Sequence, residues 1–173
     1  MKLKCAWLLA ALLFAVASPS GSTTNDIDRD MAEAIFRYQF EHNGSGQQTN
    51  AGAYFIALGG KDPDDAFVKR FEGHCPPVKK WSQCSTENMC VTDKETLKQG
   101  VVFSIEEIVA TGTDSAEANG GYYENGMSAS GNTYYLKRKK GIWVVEKNKT
   151  HWISRRTPAN GVDRYVSYRA ASA

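Results

Sequence analysis

Apolar and polar residues change their spacing twice along this chain, and each change marks a different kind of element. Between residues 27 and 40, Ile27, Met31, Ile35 and Tyr38 recur at intervals of four and three, with Phe36 and Phe40 widening the stripe. That period predicts an amphipathic helix lying on a surface. Asn25 or Asp26 is expected to cap it, Asp28 and Asp30 suit the positive end of its dipole, and Asn43-Gly44-Ser45-Gly46 ends it. Ala53 to Leu58 reads as a short buried strand closed by Gly59-Gly60. Asp62-Pro63-Asp64-Asp65 predicts a second helix start, with Asp62 as cap, Phe67 and Phe71 as core contacts and Pro76-Pro77 as its stop. Val78 to Cys84 is expected to be extended, and residues 85–99 an exposed polar loop.

From Gly100 onward the period is two. Val101, Phe103 and Ile105 alternate with Val102, Ser104 and Glu106, until Glu107 falls where an apolar residue is due. One inserted residue does this to a strand, so a β-bulge is expected there. Thr113-Asp114-Ser115 turns the chain into a strand around 118–124, with Gly120-Gly121 as an irregularity. Residues 131–139 and 142–153 then complete a meander. Lys140-Gly141 fits a two-residue hairpin turn, with glycine taking positive φ. Its register sets Trp143 opposite Arg138, Val145 opposite Leu136 and Lys147 opposite Tyr134 on the core face. An unbroken strand would add His151 and Ile153 to that face; a bulge near Asn148 would reverse them. The expected fold class is α+β: N-terminal helices packed in a strongly curved antiparallel sheet, over a single domain at 26–154.

The ends of the chain carry a different signal. Lys2 and Lys4 precede an apolar run to Ala17, and Ala15-Val16-Ala17 supplies the small residues of a cleavage site. Residues 1–17 therefore read as a signal peptide, too short for a membrane span, which implies export to the periplasm or beyond. Residues 18–25 form a polar leader, and 155–173 a flexible basic tail with Arg155, Arg156, Arg164 and Arg169. The whole chain holds 21 Lys plus Arg against 19 Asp plus Glu. Losing Lys2 and Lys4 balances the two, which removes the electrostatic argument for nucleic acid or an anionic membrane.

Cys5 leaves with the signal, and Cys75, Cys84 and Cys90 remain in a compartment that favours pairing. A Cys84–Cys90 disulfide is expected, with Cys75–Cys84 as the alternative and one thiol left over. His74 adds a fourth metal-ligand type to these cysteines, but no paired C-x-x-C spacing accompanies them, and no metal or other cofactor is expected. No nucleophile elbow, His-Glu-x-x-His, Walker loop or dinucleotide fingerprint occurs.

The element order resembles that of the nuclear transport factor 2-like (cystatin-like) superfamily. The long first helix, the Asp62-Pro63 helix, Gly141-Ile142-Trp143-Val144-Val145 and His151-Trp152-Ile153-Ser154 carry the resemblance. Phe36-Arg37-Tyr38-Gln39-Phe40 and Gly131-Asn132-Thr133-Tyr134-Tyr135 also look like stretches of uncharacterised exported bacterial proteins. The resemblance implies a cone-like sheet closed by helices, used as a ligand pocket, an active site or a plain core. In such a cone Tyr38, Tyr134, Leu136, Trp143, Val145 and His151 are the expected pocket lining, with Arg37, Lys137 and Arg138 as candidate anion contacts.

Three functions follow as expectations. The first is an exported non-catalytic domain that binds a small ligand or a protein partner. The second is a small isomerase, dehydratase or hydrolase in which His151 acts with Tyr134 or a glutamate. The third is a homodimerisation module packing through Ile142, Val144 and Trp152.

Overall fold

The computed structural model describes residues 28–42 and 48–154. The signal peptide, the leader, Asn25, Asp26, Ile27, the Asn43–Gly46 stop and the basic tail lie outside the described residues. Helix α1 spans Arg29–His42. Its cap is Asp28, whose Oδ1 accepts from the backbone N–H groups of Asp30 and Met31 at 2.9 and 3.1 Å. At the other end His42 Nδ1 meets the Tyr38 carbonyl one turn back at 3.0 Å.

Strand β1 spans Tyr54–Leu58, helix α2 Asp65–Val68, and β2 Val78–Lys80. Two short strands, β3 (Cys84–Ser85) and β4 (Thr92–Asp93), pair only with each other. Four long strands follow: β5 Val101–Gly112, β6 Ser115–Asn125, β7 Ser128–Lys139 and β8 Ile142–Ile153. The main sheet runs in the order β2-β1-β5-β6-β7-β8.

This corrects the expected fold class. The sheet is mixed and open: β1 pairs in parallel with both β2 and β5, and only β5 to β8 form an antiparallel meander. No helix-filled cone forms. The second helix is four residues long, because Asp64 rather than Asp62 caps it and the chain tightens into a 3-10 turn at Lys69–Phe71. Asp62 instead accepts from the Ser82 backbone N–H at 2.8 Å. The helical stretch becomes a crossover returning β2 parallel to β1.

Both faces of β1 and the start of β5 are covered. On one face α1 and the α2 region lay Met31, Ile35, Phe36, Phe40, Phe67 and Phe71 against Tyr54, Ile56, Phe103, Ile105, Tyr134 and Leu136. On the other, Cys84 and Val91 pack on Ala53, Phe55 and Val102. The segment expected as an exposed loop is therefore a cover, since Val91 and Asp93 are both buried. Lys79 reaches Asp93 at 2.9 Å and Glu95 at 2.8 Å and ties this cover to β2. Burial alone would raise the Asp93 carboxyl, but hydrogen bonds from Lys79, the Glu95 N–H and Thr96 outweigh it and hold the group below the ordinary carboxylate range.

The Lys140-Gly141 turn forms as expected, with φ of 51° and 84°. Arg138 stands opposite Trp143 and Leu136 opposite Val145, but Tyr134 faces Asn148 and Lys147 faces Tyr135. Glu146 is an extra residue that shifts the register, and His151 is a second. Glu106 on β5 bulges as anticipated, and Thr111 on β5 and Glu124 on β6 do so as well.

One buried amide joins helix to sheet. Ser104 O stands 2.2 Å from where a Cβ on Gly120 would be, so glycine alone admits that close approach. Gln39, fully buried on α1, points its Nε2 at Ser104 O (3.2 Å), Gly121 O (3.3 Å) and Tyr134 Oη (3.1 Å). The irregularity at Gly120-Gly121 is thus where the sheet receives a helix side chain.

Candidate functional site

The expected pocket residues divide three ways. Tyr134, Leu136 and Trp143 are buried in the helix-side core, and Tyr38 and Val145 pack at its margin. Tyr38 stacks on His42 at 4.2 Å and meets Tyr134 edge-on at 6.0 Å. The Arg138 guanidinium lies over the Trp143 ring at 5.9 Å. These five are thus engaged with one another and with α1. Arg37 binds Glu33 and the Arg70 carbonyl, Arg138 also reaches Gly141 O, and Lys137 stands on another face. The three cations do not converge.

His151 belongs to the opposite, open face. As a bulge residue it turns toward Thr133, with Nε2 and Oγ1 2.7 Å apart. The Thr133 hydroxyl gives its one proton to Asn119 Oδ1 at 2.8 Å. His151 Nε2 must then be the donor in its own bond to Thr133. The imidazole accordingly fastens β8 to β7 and β6 rather than drawing a proton from the hydroxyl.

All three described cysteines are free thiols: Cys75 exposed, Cys84 buried and Cys90 partly buried. The expected Cys84–Cys90 bridge does not form. Cys84 lies in the cover under Phe55, its Sγ donating to Trp81 O at 3.1 Å, while Cys90 forms a bridge pair with Asn125 across the sheet end. Burial pushes the Cys84 thiol up to about 11. Among the described residues no three of His, Cys, Asp or Glu gather to hold a metal, and no helix is long and apolar enough to cross a membrane.

The site that does form lies at the end of the sheet where β6 turns into β7. A cavity of about 290 Å³ is bounded by Asn50, Ala51, Gln99, Gly100, Glu124 and Asn125. Its frame is backbone: Gly52 N donates to Gln99 O (2.7 Å), Gly100 N to Val91 O (3.0 Å) and Val91 N to Glu124 O (3.0 Å). Gly100 must be glycine, because a Cβ there would stand 2.6 Å from the Phe55 ring and 2.7 Å from Ala53 O.

Glu124 is the chemical centre of this cavity. Tyr123 pairs with Ala129 and Asn125 with Ser128, so Glu124 is the extra residue of a bulge, the device that re-aims a side chain. It is 5% exposed, and its Oε2 accepts from Ser128 Oγ at 2.6 Å. Asn125 Oδ1 accepts from the Met127 N–H at 2.9 Å and fixes the turn beside it. Nearby, burial raises the Tyr54 phenol, a hydrogen bond with Gln48 opposes that, and the charges of Cys75 and Glu124 add to it. A carboxylate and three carboxamide side chains thus border one small hollow.

Reading the sequence alone misses this site. The local sign was present in Tyr123-Glu124-Asn125-Gly126-Met127: an acid breaking strand alternation just before a turn. A second, more open groove of about 360 Å³ runs between α2 and Pro77-Val78, floored by Val68, Phe71 and His74. His74 is committed there, with Nδ1 2.7 Å from Pro76 O and its ring against Phe40 and Tyr54. No family model matches the chain, and no curated protein or solved structure matches it either.

Proposed function

We infer that the chain is a non-catalytic binding domain that takes a small polar ligand in the cavity at the sheet end. The observation that carries this reading is a cavity of about 290 Å³ at the sheet end, bounded by Glu124, a bulge residue only 5% exposed, and by the carboxamides Asn50, Gln99 and Asn125. A buried carboxylate is held by hydrogen bonds, and Ser128 Oγ donates to this one at 2.6 Å. The volume sits at the lower end of ligand pockets and suits a molecule of monosaccharide or amino-acid size. The lining supplies acceptors from Glu124 and both donors and acceptors from the amides. Hydroxyl-rich and ammonium-bearing molecules match that set, and anions do not.

Binding to the native state raises the melting temperature in proportion to ligand concentration over Kd. A panel of sugars, polyols, amino acids and small amines, at millimolar concentrations, is expected to yield at least one shift that Glu124→Gln reduces or abolishes. Circular dichroism of the variant confirms that the fold survives. If no compound shifts the wild type, or the shift persists unchanged in Glu124→Gln, the cavity is not the binding site.

A further inference from the structure

Opposite the helices, β5 to β8 leave one face open, and its charges are sorted across the strands. Cross-strand pairing aligns Glu107, Asn119, Thr133 and Lys149 in one row. The next row is Val109, Glu117, Tyr135 and Lys147. Lys137 follows on β7, opposite Ser115 and Val144. The two acids of these rows stand on β5 and β6 and the three lysines on β7 and β8, beside an ion pair of Lys139 on β7 with Glu146 on β8 at 2.7 Å. Among the described residues Glu107, Glu117, Lys137, Lys147 and Lys149 make no ion pair, although Lys147 lies over the Tyr135 ring at 5.7 Å. Val109 and Ile142, 49% and 68% exposed, lie on the two sides of the same face.

We propose that this face binds a second copy of the same chain. A two-fold axis along the strands, between β6 and β7, sets β5 of one copy over β8 of the other. Glu107 then meets Lys149 of the second copy and, by symmetry, the reverse pair forms as well. Asn119 faces Thr133, while Glu117 stands over Tyr135 beside Lys137. The face is its own electrostatic complement in this orientation, with acid and base about 14 Å apart across three strand spacings. A uniformly charged partner, whether acidic or basic, would meet repulsion over half of it.

The area sets the strength. Four strands about 4.8 Å apart and about eight residues long give roughly 500 Å² a side. That is below the roughly 800 Å² of a standard stable interface. The association is therefore weak, and it responds to salt because its charges lie at solvent-reached rims.

Sedimentation velocity of the protein from 10 µM to 1 mM tests this. At 50 mM NaCl a reversible monomer–dimer equilibrium is expected, weakened on the order of tenfold at 500 mM NaCl. Glu107→Lys with Glu117→Lys, and separately Lys147→Glu with Lys149→Glu, should each leave a monomer. An equimolar mixture of the two variants should restore the dimer. All four residues are exposed, so circular dichroism and melting should match the wild type. A wild type that stays monomeric at 1 mM and 50 mM NaCl overturns the proposal. So does a dimer that either reversed pair leaves intact, or a mixture that fails to reassociate.

Discussion

Replacing Gln39 with methionine isolates what the buried amide does for the fold. Methionine keeps nearly the same length and volume, so packing against Ile35 and Phe36 is conserved while the donor is lost. In the native protein one nitrogen with two protons serves Ser104 O, Gly121 O and Tyr134 Oη at 3.1 to 3.3 Å. Losing the donor to two carbonyls, the buried one of Gly121 and the partly buried one of Ser104, costs about 1–3 kcal/mol each. Against this, Gln39 Oε1 is buried with no hydrogen-bond partner, and removing it recovers about 1–2 kcal/mol. The net expectation is about 2–3 kcal/mol of lost stability. For a domain of this size that is a fall in Tm of about 10 °C, or a shift of roughly 1.5 M in the urea midpoint with m unchanged. Gln39→Glu gives the orthogonal check. Its buried carboxyl donates only when protonated, so its folded pKa is raised and its penalty relative to wild type grows as pH rises above about 4. Equilibrium urea unfolding at pH 4 and pH 7 measures both. If Gln39→Met is as stable as wild type at unchanged m, the amide is not the link between α1 and the sheet, and the reasoning fails.

Two further outcomes follow from the cover over β1 and β5. With its pKa near 11, Cys84 at pH 8 carries on the order of 100-fold less thiolate than an ordinary thiol near 8.5. Native labelling with a thiol reagent should thus modify Cys75 and Cys90 first and reach Cys84 on unfolding, as peptide mass mapping would show; fast native labelling of Cys84 contradicts its placement. Lys79→Met should cost about 3 kcal/mol at pH 7, because it leaves the Asp93 carboxylate buried without its cation. Asp93 is depressed in the folded state, so its contribution is present above about pH 4 and is lost as pH falls below that value. The acid limb of a Tm-against-pH profile should flatten in Asp93→Asn and persist if the pair is unimportant.

Periodicity located most elements because local burial follows local spacing. The α1 stripe, Phe67 with Phe71, the bulge at Glu106 and the Lys140-Gly141 turn all depend on residues within a few positions of one another. Parallel pairing of β1 with β2 and β5 does not, and it turned the expected cone into an open mixed sheet. A hint was legible: Tyr54, Phe55, Ile56 and Ala57 are apolar in unbroken succession, as in strands covered on both faces. The residues expected to line a pocket divide between core and open face for a related reason. Alternation along β8 assigned His151 to the core face, but the extra residues at Glu146 and His151 shift the phase twice. Neither glutamate nor histidine advertises a bulge. At the sheet end, Glu124 could be recognised only once Asn50 and Gln99, distant in sequence, stood around it.

Twelve residues long, β8 forms one border of the main sheet, where an unpaired row of amides and carbonyls invites any extended peptide to add on. The interruptions at Glu146 and His151 cut that border into regular stretches of only four residues, Ile142–Val145 and Lys147–Thr150. The second stretch carries Lys147 and Lys149, so an incoming strand would find neither a long ladder nor a neutral one. The same irregularities that hid His151 from sequence reading therefore guard the protein against fibrous growth at its most vulnerable margin.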